Sequence, residues 1–349
     1  MIQRGVFGIL LSMTLLCSCV SRNSVDIAAP KSEPAPASVQ LPGPTAQPVQ
    51  AAAQPVPLAA KPKPTGGGIA LGPALALVQQ VPLGQKDVEL AGLTYRVENR
   101  GATELPMAIA ILPPAQAGTV LWELGYEPVP DPSWISVVMA GSDTLAAGEA
   151  RDFRLRVQIP NELQWANRRF VACVTARPGR GAGVGAGLNL AARLLIETAA
   201  SDNAEGSTQA LATAPSSVRL TMRPGDTSEA TVLIRRPTGP VEDATLVWKR
   251  LSEVEPEAVR RDRFRTPGTA EAPSDMVSVS LVGEAPPGAW QVLRLALHAP
   301  IRTDATSFEE LLVVGNAHEI ALAADPQRTR QPQVALIRCI ITRDPQAQR

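Results

Sequence analysis

Nucleophilic, redox or metal chemistry in this chain would have to come first from its four cysteines and two histidines. His298 and His318 lie on or beside expected strands. Neither stands in a His-x-x-x-His spacing or near a cysteine pair, so a satisfied or surface histidine is expected, not a ligand or base. No Gly-x-Ser-x-Gly elbow occurs. Paired carboxylates for glycoside hydrolysis are set in space, so no linear pattern tests for them. Gly181-Ala182-Gly183-Val184-Gly185-Ala186 fits G-x-G-x-x-A, but a dinucleotide site needs a helix opening at that turn. Leu188, Leu190, Ala192, Leu194 and Ile196 continue instead with the period of a strand. Residues 178–187 therefore read as a long hairpin loop, with Gly179, Arg180, Gly181, Gly183 and Gly185 as a candidate contact surface. Cys173 and Cys339 fall in different parts of the chain, and Cys339 shares a strand face with Ile337 and Ile341. Buried free thiols are the default, with a Cys173–Cys339 disulfide as the alternative an oxidising compartment allows. No catalytic residue, metal ligand or cofactor site is expected.

Cys17 and Cys19 are different. Arg4 precedes an apolar run from about Val6 to Leu16, the layout of a secretory signal and too short to span a bilayer, which takes ~20 apolar residues. The run closes on Leu16-Cys17-Ser18-Cys19. This resembles the bacterial lipoprotein signal: an aliphatic residue, a tolerant position, a small residue, then the modified cysteine. The resemblance covers about 20 residues and implies cleavage before Cys19 and acylation of that cysteine, several acyl chains giving stable anchoring where one is marginal. Cys17 fits poorly as the modified residue because Leu16 is too bulky for the small position. Val20 follows Cys19, where aspartate favours inner-membrane retention in enterobacterial lipoproteins; by that resemblance the outer membrane is favoured.

From Val20 to Pro73 the composition shifts. Eleven of the 33 prolines fall there, and no aromatic residue occurs between Phe7 and Tyr95. Such a segment buries too little apolar surface to offset its ordering entropy. Lys61-Pro62-Lys63-Pro64 favours polyproline II. The stretch is expected to be a disordered tether, reaching up to roughly 150 Å at ~3.1 Å per residue.

Beyond the tether two units repeat. Trp134-Ile135-Ser136-Val137-Val138-Met139-Ala140-Gly141 aligns with Met276-Val277-Ser278-Val279-Ser280-Leu281-Val282-Gly283. Gly148 opens a run ending at Pro160, and Gly288 opens one of the same length ending at Pro300. Pro82-Leu83-Gly84 and Pro224-Gly225 each open an alternating run, and residues 192–196 resemble 337–341. A constant offset near 140 residues, kept in order, is the mark of an internal repeat. Alternating strands broken by Gly and Pro turns predict an antiparallel sandwich in each unit. The strand that opens on glycine and closes on proline resembles bacterial Ig-like and fibronectin III-like domains, which implies a binding or structural scaffold. Trp248 is expected as a core tryptophan on a strand. Ser252 to Phe264 is the best helical candidate, with Ser252 and Glu255 as a capping box. Arg260, Arg261, Arg263 and Arg265 interleave with Glu253, Glu255, Glu257 and Asp262, as on a solvated face.

Lys plus Arg and Asp plus Glu number 33 each, so no charge field recruits nucleic acid. The expected chain is all-β: a signal peptide (1–18), lipidated Cys19 and tether (19–74), a first sandwich (75–200), a linker (201–215), a second sandwich (216–344) and a tail (345–349). The expected role is a non-enzymatic envelope lipoprotein, held to a membrane through Cys19, that binds or braces an envelope protein or cell-wall component. Two Ig-like units in tandem also resemble periplasmic pilus chaperones, which implies an assembly factor as the alternative. A glycan-active enzyme or its accessory subunit is the third.

Overall fold

The computed structural model describes residues 68–86, 88–90, 93–118, 123–179, 190–202, 211–235, 245–286, 288–301 and 304–344. Cys19, the tether as far as Gly67, and Arg180, Gly181, Gly183 and Gly185 of the candidate loop lie outside them. No helix among the described residues is long and apolar enough to cross a membrane.

The first unit contains β1 (Ile69–Gly72), β2 (Leu75–Val81), β3 (Val88–Glu89), β4 (Tyr95–Asn99), β5 (Leu105–Leu112), β6 (Glu127–Pro128), β7 (Ile135–Met139), β8 (Thr144–Leu145), β9 (Ala150–Val157), β10 (Arg169–Pro178) and β11 (Leu190–Thr198). The second contains β12 (Ala212–Ala214), β13 (Ser217–Met222), β14 (Thr227–Arg235), β15 (Leu246–Arg250), β16 (Ala270–Glu271), β17 (Val277–Val282), β18 (Trp290–His298), β19 (Ser307–Asn316) and β20 (Ala335–Arg343). Three short helices accompany it: α1 (Leu251–Val254), α2 (Ala258–Asp262) and α3 (Ala317–Ala324). Strands begin at Ile69 and Ala212, ahead of the expected sandwich starts at 75 and 216.

Each unit is a sandwich of two sheets. In the first, one sheet runs β1-β4-β9 with β7 on the far side of β9, and the other runs β2-β11-β10-β5. In the second, the corresponding orders are β12-β14-β18-β17 and β13-β20-β19-β15. The pairing polarity is shared as well. β2 lies parallel to β11 and β13 parallel to β20, while β6 and β16 add short parallel strands to β10 and β19. The peptide bonds Gly72-Pro73 and Ala214-Pro215 are both cis, at the same place in each repeat. Paired glycines also agree: Gly84 and Gly225, Gly141 and Gly283, and Gly148 and Gly288 all have positive φ. Only glycine enters that region without cost, so the repeated glycines mark repeated turns.

Alternation places one face of each strand inward. Tyr95, Val97, Phe153, Leu155 and Val157 meet Phe170, Ala172, Val174, Leu194 and Ile196 in the first core. Val232, Ile234, Leu293, Leu295 and Leu297 meet Leu312, Val314, Ile337, Cys339 and Ile341 in the second. Trp248 packs partly buried against that core. Cys173 and Cys339 are both buried and no disulfide joins them, so the alternative of a disulfide gives way to the default of separate thiols. Cys339 faces the second core, whereas Cys173 sits on β10 between two residues that face the first.

The helices differ from expectation. α1 starts two residues early: Arg250 is its N-cap in place of Ser252, and the Arg250 backbone N–H donates to the Glu253 carboxylate at 3.4 Å. Chain continuity from β15 fixes its first turn, with Leu251 and Val254 buried. α3 carries His318, which is therefore on a helix; Asn316 caps it by accepting from the Glu319 N–H at 2.8 Å.

Candidate binding cleft

A third apolar cluster belongs to neither sandwich alone. Leu124, Tyr126, Val171 and Leu195 from the first pack with Leu251, Val254, Phe264, Leu311, Val313, Ile320 and Leu336 from the second. Val171, Leu195, Leu311, Val313 and Leu336 stand on the outward faces of the β11–β10 and β20–β19 sheets, and the remaining side chains come from loops and helices packed between them.

At the centre of this junction lies Glu197 of β11. One carboxylate oxygen accepts from the Tyr126 hydroxyl at 2.7 Å, Arg169 Nε at 3.1 Å and Arg338 Nη2 at 2.7 Å. The other accepts from Arg338 Nε at 3.0 Å. Arg169 continues to the Leu336 and Ser216 carbonyls at 2.6 and 2.9 Å. Arg338, with no solvent exposure, donates to the Phe264 carbonyl at 2.9 Å and pairs with Glu309. Burial pushes the Glu197 carboxyl up, but Arg338 and Arg169 beside it overcome this and hold it at about 2. The Tyr126 hydroxyl is pushed well above its usual range by burial and then by Glu197.

Smaller bridges flank this hub. Gln79 Oε1 accepts from Arg219 and Thr266, each at 3.1 Å. The Ser216 N–H donates to Asn167 Oδ1 at 3.0 Å, and Gln331 donates to the Tyr126 carbonyl. Arg193 and Arg263 both face buried Glu123. The arginine-rich segment is divided: Arg263 faces buried Glu123 and Glu255 is itself buried, whereas Glu253, Glu257 and Asp262 are solvent-exposed as expected, with Arg265 pairing to Asp262 and Glu271.

Beside the junction opens a cleft of about 340 Å³, lined from the first sandwich by residues such as Glu127, Leu163 and Arg168, and from the second by Ala212, Thr213, Ala214, Trp290 and residues 331–336. Its size is in the range of small-ligand sites. Leu163 is half exposed at 52%, which is unusual for a large aliphatic side chain. Arg168 is clamped over the Trp165 and Phe170 rings at 5.9 and 5.8 Å, and its guanidinium reaches Glu127 at 2.5 Å. Burial raises the Glu127 carboxyl above its ordinary value, with Arg168 opposing. On the facing wall Arg235 stacks over Trp290 at 5.3 Å. The carboxylate among these described lining residues is Glu127 alone, and Arg168 already occupies it. A glycosidase pair would need a second carboxylate beside it. The wall offers aromatic and aliphatic surface, amide groups and a neutralised ion pair, a surface suited to binding.

Of the residues singled out in the sequence, His298 bonds Thr227 at 2.9 Å at the end of β18, away from the cleft lining. Gly179 donates its N–H to the Pro106 carbonyl at 2.7 Å, closing the end of β10 onto β5. Glu197, Arg338, Arg169 and Trp290 were missed. A signal existed in Ile196-Glu197-Thr198 and Ile337-Arg338-Cys339, where a charge interrupts an apolar strand.

No family model and no curated protein sequence matches the chain. Solved structures similar to it include the periplasmic chaperone SfaE, at 12% identity over 78% of this chain and 99% of that one, TM-score 0.24. A complex of Salmonella enterica SafA pilin with the SafB chaperone matches at 12% identity over 72% and 90%, TM-score 0.26. Zebrafish RET cadherin-like domains 1 to 4 match at 9% identity over 80% of this chain, which spans 52% of that one, TM-score 0.25.

Proposed function

We propose that this protein is a non-catalytic binding module of the bacterial cell envelope. Two Ig-like sandwiches, joined into one body, present the cleft to an envelope protein or cell-wall component, and acylated Cys19 holds the module to a membrane. The observation that carries the binding reading is the cleft itself. It opens beside the buried ionic hub, and its walls carry half-exposed Leu163 and partly buried Trp290, with Glu127 as the one carboxylate among the described lining residues. The anchor rests on Leu16-Cys17-Ser18-Cys19 and on Val20 for the outer membrane.

The cleft is tested by placing the photo-crosslinker p-benzoylphenylalanine at Leu163 of the full-length protein in its native cells. A discrete adduct supports the reading; an unmodified protein after irradiation contradicts it. The anchor is tested by metabolic labelling with an alkyne fatty acid. Label is expected on the wild type and absent from Cys19→Ser, and label that persists in Cys19→Ser contradicts the assignment.

A further inference from the structure

The two repeats can be compared position by position on their outward faces, because their strand registers correspond. Four residues beyond Gly148 stands Asp152, and four beyond Gly288 stands Val292. Asp152 pairs across the ladder with Arg96, and Val292 pairs with Leu233. Arg96 in turn faces Gly72, and Leu233 faces Ala214. The two rows are thus Gly72–Arg96–Asp152 and Ala214–Leu233–Val292, the latter continuing to Val282 on β17. In the first sandwich the row is a solvated ion pair, Arg96–Asp152 at 3.6 Å. In the second it is entirely apolar, and Val282 is 39% exposed. Leu233 and Val292 are half-buried and point away from the second core.

The flanking rows differ in the same sense. Arg154 pairs with Glu89 at 2.6 Å, whereas its counterpart Arg294 is exposed and forms no ion pair among the described residues. Glu98 pairs with Arg100 at 3.3 Å, whereas Arg235, in the corresponding place, stacks on Trp290. Neither Arg294 nor Arg235 meets a carboxylate among the described residues. The apolar row spans four strands, ~14 Å, and each arginine stands ~7 Å to one side of it. It begins at Ala214, inside the cleft lining.

From this contrast we infer that the outward face of β14, β18 and β17 is a docking surface, continuous with the cleft, for a protein segment carrying apolar side chains flanked by carboxylates. The inference rests on the reading of the chain as a binding module and names the partner's chemistry. At this row the first copy carries a paired arginine and aspartate, and the second carries half-buried aliphatic side chains with an arginine on either side. An apolar centre rimmed by arginine is the composition of a protein interface core. An acidic group on the partner supplies to Arg294 the charge that Glu89 supplies to Arg154 in the first sandwich.

The test places p-benzoylphenylalanine in the full-length protein in its native cells at Val292 or at Val282, an exposed position that tolerates the substitution if Val292 does not. Asp152 serves as the matched position in the first sandwich and Leu163 as the cleft position. The expected result is a protein adduct at 292 or 282 and none at 152, mapping to a segment with Asp or Glu beside apolar residues. Arg294→Glu is expected to lower its yield about five- to tenfold. An adduct at 163 with none at 282 or 292 overturns this surface and leaves the binding module standing. No adduct at any position overturns both. An adduct to lipid, to a second copy of the chain, or to a basic segment overturns the assigned partner.

Discussion

Arg338 and Glu197 belong to different sandwiches, yet they meet side-on through two hydrogen bonds of 2.7 and 3.0 Å with Arg338 wholly shielded from solvent. A tandem of independent domains would have no reason to bury such a pair between them. Here the pair, with Tyr126 and Arg169, makes the second sandwich part of the folding environment of the first.

Removing the shared carboxylate should therefore cost more than a surface ion pair. Glu197→Gln leaves Arg338 and Arg169 with less compensation inside the junction. Breaking a buried pair from one side costs about 3–5 kcal/mol. Urea denaturation of the variant should show that loss, and a change below about 1 kcal/mol would assign the junction's stability to its apolar cluster alone.

Acid should act through the same residue. The Glu197 carboxyl sits at about 2 in the folded chain against 4.5 when free. A depressed folded value means that the unfolded chain takes up the proton first. Its stabilisation is then complete above about pH 4.5 and lost as pH falls toward 2. The full contribution is about 3 kcal/mol, and none of it changes between pH 7 and pH 5. Denaturation midpoints of the wild type minus those of Glu197→Gln should converge between pH 4.5 and 2. A difference that is flat over that range would contradict the assignment.

Two glycines of nearly equal conformation separate backbone strain from packing. Gly125 and Gly148 have φ of 71° and 72°. A Cβ at Gly125 would come within 2.6 Å of Leu336 Cγ, whereas one at Gly148 meets nothing within 4 Å. Gly148→Ala should cost about 1–2 kcal/mol from the left-handed backbone alone. Gly125→Ala should cost at least about 1 kcal/mol more, because Leu336 is fully buried and has no room to yield. Equal melting temperatures for the two variants would refute the close packing of the cleft floor.

The thiols supply a further check. Burial pushes the Cys339 thiol up to about 12, with Glu310 adding and Arg338 opposing. Only the thiolate reacts, so alkylation mapped by mass spectrometry should leave Cys339 unmodified in the folded protein at pH 8 and modify it in denaturant. Rapid native labelling would contradict its place in the second core.

The repeat was legible in the sequence because turns and alternation are local. Gly148 and Gly288 mark the same turn, and the period of two after each predicts β9 and β18. The junction was not legible, because it depends on which outward faces meet. Arg338 and Arg193 occupy matching positions in β20 and β11 and read alike in sequence. Only packing shows that Arg338 is wholly buried at the hub while Arg193 reaches Glu123 with part of its side chain exposed. The helix α3 escaped notice because its eight residues follow directly on β19, with Asn316 as both strand end and cap. Leu233 and Val292 gave no signal of their own; they stand out only beside Arg96 and Asp152, once strand register fixes which residues correspond.

The account stands on the two sandwiches forming one cooperative body behind the cleft. Hydrogen exchange followed by mass spectrometry, as a function of denaturant, measures this directly on peptides from β10 and β11 and from β19 and β20. The account predicts that both sets lose protection at the same denaturant concentration in the wild type and at separate concentrations in Glu197→Gln. Two well-separated transitions in the wild type would contradict it.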